Sequence, residues 1–180
     1  MSGYVVETER LGLRVPGATD RATLHDWFGD PKVMVNLAPV MDEAAADAAI
    51  ARHDGHRGEG IGFWIVERRS DRTPVGFCGL KRCNPDSPLA GALEIGWLFG
   101  EPFWGRGYAG EAAGACLAWA WAHLPDDRIV AITSQVNAAS QRVMARIGMR
   151  AAPELDHEPP SFPVGDRLRD SVVYVADRPA

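Results

Sequence analysis

A loop with three glycines in six residues, within FWGRGYAG at positions 103–110, constrains this chain more than any other stretch. Read from Gly105, it has the spacing G-x-G-x-x-G, which is typical of dinucleotide-binding loops. Read from Trp104, it ends in G-x-A ahead of an alanine-rich run. Both interpretations place a phosphate at a helix N-terminus, where unpaired N–H groups and the helix dipole favour an anion. They imply different ligands, and the neighbouring residues discriminate between them.

The dinucleotide interpretation makes two demands that these neighbours do not meet. Its glycines should follow a strand directly, but GEPFW separates the apolar strand ending at Phe99 from the loop. Its acidic residue should end the next strand, whereas Asp126 and Asp127 precede RIVAITS. An NAD(H)-dependent oxidoreductase is therefore the less favoured hypothesis. A tight loop that binds nothing is a further alternative.

Apolar periodicity predicts the remaining elements. The predicted strands are ERLGLRV, IGFWIVERR, PVGFCGLKR, ALEIGWLF, RIVAITS and DSVVYVA. The predicted helices begin after a cap at Thr19 or Asp20, at Asp42, near Gly107 and at Asn137. PKVMVNLAPV contains two prolines and is predicted as a loop. The pattern predicts a mixed α/β domain, residues 1–180, around a largely antiparallel sheet.

The acidic balance of the chain limits its partners. Its 180 residues carry 19 Lys and Arg against 24 Asp and Glu, a net charge of −5. Nucleic acid is disfavoured as a partner because phosphate contacts need a basic face. The N-terminal stretch lacks the pattern of a secretory signal, and no apolar run approaches the ~18–20 residues of a membrane span. We therefore expect a cytoplasmic protein with no membrane partner.

Two residue pairs resemble fragments of metal sites. Cys78 and Cys83 lack a second Cys or His pair at zinc spacing, and with Cys116 they are expected to be reduced thiols. His53 and His56 form H-x-x-H without a carboxylate placed to complete a site. A solvated helix end is the preferred interpretation of the two histidines, and no metal is expected.

The most specific patterns lie between Glu94 and Met149: EIGWLF, FWGRGYAGEA and VNAASQRVMARIGM. With TERLGLR at the start and LDHE near the end, they resemble the GNAT superfamily of N-acetyltransferases, and most closely its ribosomal-protein N-terminal (Rim-type) branch. The resemblance covers nearly the whole chain. It implies the GNAT fold, a mixed, largely antiparallel sheet flanked by helices, with splayed strands at the acetyl-CoA site. It also implies acetyl-CoA as co-substrate.

The family binds the coenzyme pyrophosphate with a loop of the form [Q/R]-x-x-G-x-[G/A]. Gly107 and Ala109 match this form, and Trp104 stands at the Gln or Arg position, which leaves binding to the backbone. Gly96 or Trp97 is expected to donate an N–H to the thioester carbonyl. The full set of expected cofactor contacts is Gly96, Trp97, Gly105, Arg106, Gly107, Tyr108, Ala109, Gly110, Asn137 and Ser140. For the Arg106 side chain, contact with phosphate and with water alone are both open.

Acetyl transfer to an amine requires a base for the ammonium and an acid for the leaving thiolate. Glu94 lies within an apolar strand, where partial burial would fit it to accept a proton. The alternative is a strand-end carboxylate paired with an arginine. Ser140 is the predicted acid, because Met144 occupies the position at which many GNAT enzymes have a Tyr. Tyr174 is a second candidate.

The acceptor is expected to be a primary amine, of a small molecule or of a protein N-terminus. VMVNLAP, the strand carrying Trp64 and the loop LDHEPPSFP are expected to line its site. In that loop Asp156 and Glu158 are candidates to attract an ammonium, and His157 is either a second base or a loop histidine. The enzyme is expected to be a monomer or homodimer. A non-catalytic acyl-CoA sensor is the alternative, because the tyrosine acid is missing.

Overall fold

The computed structural model describes residues 3–179 and arranges them around an eight-stranded sheet. The strands are β1 Val6–Glu7, β2 Leu11–Arg14, β3 Phe63–Arg68, β4 Thr73–Arg82, β5 Leu93–Phe99, β6 Arg128–Ser134, β7 Arg150–Ala151 and β8 Ser171–Asp177. Side by side, their order is β1-β2-β3-β4-β5-β6-β8-β7. Within the described residues, every neighbouring pair is antiparallel except β5 and β6, which are parallel. The predicted largely antiparallel sheet is confirmed.

Helices cover both faces of this sheet. They are α1 Arg21–Gly29, α2 Pro31–Met34, α3 Glu43–Asp54, α4 Tyr108–His123 and α5 Ala138–Arg146. Successive residues of a strand point to opposite faces, so in β3 Phe63 packs with α1 and α3 whereas Trp64 packs with α4. A strand buried on both faces reads as an unbroken apolar run, as FWIV does. No helix among residues 3–179 is long and apolar enough to cross a membrane.

Two of the predicted helix caps, Asp42 and Asn137, are confirmed, whereas Asp20 does not cap its helix. Asp42 and Asn137 cap their helices, accepting hydrogen bonds from the N–H groups of Ala45 and Ser140. Asp20 precedes α1, but its carboxylate accepts hydrogen bonds from the Arg14 guanidinium and the Gly17 N–H instead of capping the helix.

The segment 31–34 forms α2, where a loop was predicted. Pro31 occupies the first turn, where a missing N–H costs nothing, and the Asp30 carboxylate accepts a hydrogen bond from the Lys32 N–H at 2.8 Å. The proline therefore starts a helix here.

The sheet opens between its two parallel strands. β5 pairs with β6 only at Leu93–Ile129 and Glu94–Val130. Beyond those pairs, residues 95–99 follow β4, and residues 131–134 follow β8. The splay that the GNAT resemblance implies therefore begins immediately after Glu94.

Candidate active site

The glycine loop ends in a left-handed turn at the start of α4. Gly105 has φ 72° and Gly107, the N-cap residue, has φ 79°, a region that favours glycine. A Cβ at Gly105 would meet nothing within 4 Å, so backbone conformation explains this glycine where local crowding does not. The Glu111 N–H donates to the Gly107 carbonyl at 3.1 Å. The N–H groups of residues 108–110 precede this bond and are available to an anion.

Side chains from the turn between β1 and β2 hold this loop in place. The Arg10 Nε donates to Glu111 Oε2 at 2.7 Å, and Arg10 Nη1 donates to the Arg106 carbonyl at 3.1 Å. The same guanidinium lies 4.9 Å from the ring centroid of Tyr108. Thr8 Oγ donates to the second Glu111 oxygen at 2.5 Å. Burial alone would raise the pKa of the Glu111 carboxyl, but the hydrogen bonds from Thr8 and Arg10 lower it overall.

A cavity of about 470 Å³ lies between this loop, the end of β5 and α5. Of the expected cofactor contacts it is lined by Trp97, Gly105, Gly107, Tyr108, Ala109, Gly110, Asn137 and Ser140. The Tyr108 side chain is buried in the core beneath the loop. Arg106 does not line the cavity, and Gly96 lines a second cavity described below.

Sequence reasoning missed Arg146, which lines the larger cavity from α5. A Cβ added to Gly110 would lie 3.7 Å from Arg146 Cδ, which places the arginine stem beside the first turn of α4. Its guanidinium makes no ion pair or hydrogen bond within residues 3–179. Ala139, Val143 and Arg146 recur at i, i+4 and i+7 and all line the cavity, so the helical period was the available signal.

Trp104 also borders the larger cavity. Its Nε1 donates to the Phe99 carbonyl at the end of β5, at 2.7 Å, and the residue is 48% exposed. The hydrogen bond fixes the indole over the strand end and leaves part of the residue open to solvent and cavity.

The second cavity, of about 240 Å³, lies on the α1–α3 side of the splay. Four residues line both cavities: Leu37, Trp97, Leu98 and Ser140. The two spaces therefore meet beside Ser140, whose hydroxyl makes no hydrogen bond within the described part of the chain. Met144 also lines the smaller cavity, where its thioether cannot donate a proton.

Glu94 lines the smaller cavity at the point where the strands part. Its Oε2 lies 3.3 Å from Lys81 Nζ and 3.6 Å from Cys83 Sγ, and the side chain is 15% exposed. Burial, followed by the negative charge of Glu94, raises the pKa of the Cys83 thiol to about 12, so the thiol stays protonated and donates to the carboxylate. The predicted alternative named an arginine as partner, but the partner is Lys81.

His53 was expected at a solvated helix end, and this prediction is wrong. Its ring packs 4.2 Å from the ring centroid of Phe63 and 5.6 Å from that of Phe77. Its Nδ1 is buried without a hydrogen-bond partner. Burial, followed by the nearby charge of Lys81, lowers the pKa of His53 to about 3, so the ring is neutral at neutral pH. His56, by contrast, faces Glu59 at 2.9 Å near the surface.

Asn137 joins three segments around the junction. Its Oδ1 caps Ser140, and its Nδ2 donates to Thr133 Oγ1 at 3.0 Å and to the Asn36 carbonyl at 3.4 Å. Both amide hydrogens are used within the protein. The Asn137 N–H donates to the Ser134 carbonyl, so a ligand in the larger cavity is left with the remaining lone pairs of the Asn137 carbonyl and Oδ1.

Several residues expected to line the acceptor site line neither cavity. The strand carrying Trp64 lines the smaller cavity through Phe63, whereas Trp64 itself is 1% exposed and packs against Trp119 on the α4 face, with ring centroids 5.1 Å apart. In the late loop, the Asp156 carboxylate accepts the Val173 N–H, Glu158 pairs with Arg169, and His157 contacts the Leu155 carbonyl. Neither these residues nor Tyr174 line the two cavities.

Residues 10–150 match the sequence profile of the acetyltransferase (GNAT) domain. The chain belongs to the GNAT family of acetyltransferases. This acetyltransferase is 32% identical to YkkB of Bacillus subtilis (strain 168), over 79% of this chain and 83% of that protein. It is 30% identical to the uncharacterized N-acetyltransferase YnaD of the same strain, over 81% of this chain and 82% of YnaD.

Solved structures show the same GNAT fold. An acetyltransferase from Agrobacterium tumefaciens str. C58 superposes with a TM-score of 0.79 at 27% identity, covering 95% of this chain and 92% of that one. At 17% and 15% identity, a RimL ribosomal N-acetyltransferase bound to coenzyme A and a Vibrio cholerae spermidine N-acetyltransferase bound to CoA and spermine share the fold alone. GNAT acetyltransferases use acetyl-CoA, and the described residues contain no group of three or more His, Cys, Asp or Glu that could hold a metal.

Proposed function

We propose that this GNAT acetyltransferase moves the acetyl group of acetyl-CoA to a primary amine by direct attack on the thioester. The observation that carries the proposal is the meeting of two cavities beside Ser140, one open to the glycine loop and the other lined by Glu94. Two reactants can approach this point from opposite sides. The sequence patterns TERLGLR and LDHE support assignment to the Rim-type branch as part of the proposal.

In the proposed complex, the pyrophosphate binds the backbone N–H groups of residues 106–110 at the start of α4. Arg146 supplies the positive charge from α5, and its unpaired guanidinium supports this role. The pantetheine arm occupies the gap between β5 and β6. The N–H of Gly96 or Trp97 then holds the thioester oxygen as it becomes an oxyanion.

Glu94 is proposed to accept the proton of the acceptor ammonium. Its carboxylate lies 3.3 Å from the Lys81 ammonium and lines the cavity proposed for the acceptor. The amine nitrogen attacks the carbonyl carbon, and collapse of the tetrahedral intermediate breaks the C–S bond. Ser140 gives its hydroxyl proton to the leaving thiolate, and it regains one from the nitrogen of the acetylated product.

Two measurements test this proposal. Calorimetry should detect acetyl-CoA binding to the folded protein, and a thiol-release assay should detect coenzyme A formation with at least one primary amine. Folded protein that does not bind coenzyme A would contradict the proposal at its first step.

The second candidate is an acyl-CoA sensor without turnover, and the observation that favours it is Met144. This thioether stands where a tyrosine acid is found in many GNAT enzymes, and it lines the smaller cavity. Coenzyme binding without thiol release over a broad amine panel would favour the sensor.

A further inference from the structure

The charge balance of the smaller cavity carries an inference about the acceptor. Its ionisable lining side chains, among the described residues, are His53, Lys81 and Glu94. The Lys81 ammonium offsets the Glu94 carboxylate at 3.3 Å, and the His53 ring is neutral. The cavity therefore offers no second carboxylate to an acceptor that carries a second ammonium.

The rest of the wall is mostly apolar. Aromatic and aliphatic side chains enclose the space, among them Phe28, Met34, Leu37, Met41, Phe63 and Phe77. A volume of about 240 Å³ lies below the ~300–1,000 Å³ of pockets for drug-sized ligands. An apolar wall of this size favours a compact acceptor with a hydrocarbon body.

Hydrogen bonds anchor Val35 and Asn36, which line the larger cavity and lead into Leu37 and Ala38 of the smaller one. Arg167 donates to the Val35 carbonyl at 2.5 Å and to Asn36 Oδ1 at 2.6 Å, and Asn137 donates to the Asn36 carbonyl. The segment that follows α2 is thus anchored from β8's preceding loop and from the α5 cap.

We infer that the acceptor is a compact primary amine with one positive charge and an apolar body, and that His53 determines this specificity by keeping the aromatic wall uncharged. The inference rests on the proposed function. It predicts discrimination against diamines and polyamines, because a second ammonium would enter an apolar wall without a counter-ion.

Three amines of equal chain length test the inference: hexylamine, 1,6-hexanediamine and 6-aminohexanoate, with a serine-initiated hexapeptide as the protein-like acceptor. We expect kcat/KM for hexylamine to exceed each of the others by ~10-fold or more, because the added charge or bulk is desolvated without a partner. Equal or better turnover of the diamine or the peptide would overturn the inference and leave amine acetylation intact. Coenzyme binding without turnover of any amine would instead contradict the proposed function.

Two variants, His53→Asp and His53→Asn, test whether His53 determines the selectivity between hexylamine and the diamine. In His53→Asp, a carboxylate replaces the neutral ring, and the diamine should gain ~10-fold in kcat/KM relative to hexylamine. His53→Asn, which stays uncharged, should keep the wild-type order. An unchanged ratio in soluble His53→Asp would remove His53 as the specificity determinant. The wild-type amine series decides the substrate class even if this variant does not fold.

Discussion

Arg10 and Glu111 form an ion pair in which Arg10 Nη2 lies 2.6 Å from Glu111 Oε2, and it joins the start of the chain to the first turn of α4. Because Arg10 also donates to the Arg106 carbonyl, this pair holds the glycine loop against β2. We therefore expect the backbone geometry of the loop to depend on a residue that does not line the larger cavity.

Replacing Arg10 with Ala should weaken coenzyme A binding by ~10-fold, since the loop loses its anchor to the sheet. The free energy of unfolding should change by only about 0–1 kcal/mol, because the ion pair is partly exposed. Calorimetry gives the dissociation constant, and urea unfolding gives the stability. Arg72→Ala, which removes another exposed arginine away from the loop, serves as control. Equal coenzyme affinity in the two variants would show that the ion pair does not position the loop.

The positive charge for the pyrophosphate should come from α5. Arg146→Gln should weaken coenzyme A binding by ~10-fold, because a charge-assisted contact is lost. The matched control is Arg142→Gln, on the same helix with the same change of charge but outside the cavity lining. Binding isotherms at low and high salt separate a contact from a general field effect. Equal losses in both variants would contradict a specific contact by Arg146.

Glu94→Gln should lower kcat by ~100-fold or more, the scale of a lost general base, with coenzyme affinity within about 2-fold of wild type. The amide keeps the shape of the side chain but cannot accept the ammonium proton. Single-turnover acetyl transfer and coenzyme binding are measured on the same preparation. A wild-type rate in this variant would exclude Glu94 as the base.

The ion pair between Asp20 and Arg14 should make the free energy of unfolding depend on pH. The Arg14 guanidinium lowers the pKa of the Asp20 carboxyl, although burial acts in the opposite direction. Because the folded-state pKa is depressed, this stabilisation is fully present above the ordinary Asp value of ~3.9 and is lost as the pH falls through the folded value.

Asp20→Asn should therefore cost about 2 kcal/mol of unfolding free energy at pH 7, the scale of a lost charge-assisted hydrogen bond, because Arg14 keeps its ion pair with Glu67 at 3.0 Å. The difference in unfolding free energy between Asp20→Asn and wild type should become smaller below about pH 4. Urea unfolding at several pH values measures this difference, with Asp86→Asn at the exposed turn after β4 as control. A gap that stays constant down to pH 3 would show that the ion pair does not carry the effect.

Local chemistry could be predicted from sequence where one residue fixes one backbone conformation. The caps at Asp42 and Asn137 are such cases, because a short acceptor side chain before a helical pattern has few other uses. In each case the physical cause lies within four residues of the feature.

The face on which a side chain lies was harder to predict. Phe63 and Trp64 are both buried, so burial alone does not tell which of them faces the smaller cavity. His53 follows Ala46 and Ala49 at i, i+3 and i+7, which marks it as part of the inward face of α3. Its polarity suggested solvent, and packing against the sheet decided otherwise.

Among the described residues, only two residue pairs join β5 to β6, and this limits how strongly the two halves of the sheet are coupled. The sheet consists of two parts, β1 to β5 and β6 to β8, which within residues 3–179 are joined by hydrogen bonds only at these two pairs. The chain segment that contains α4 connects the two parts covalently. A coenzyme arm lying in the gap would contact both β5 and β6 and so connect the two parts of the sheet. Amide exchange in residues 95–99 and 131–134 should then slow together when coenzyme A binds, because a ligand that contacts both strands stabilises them against local opening.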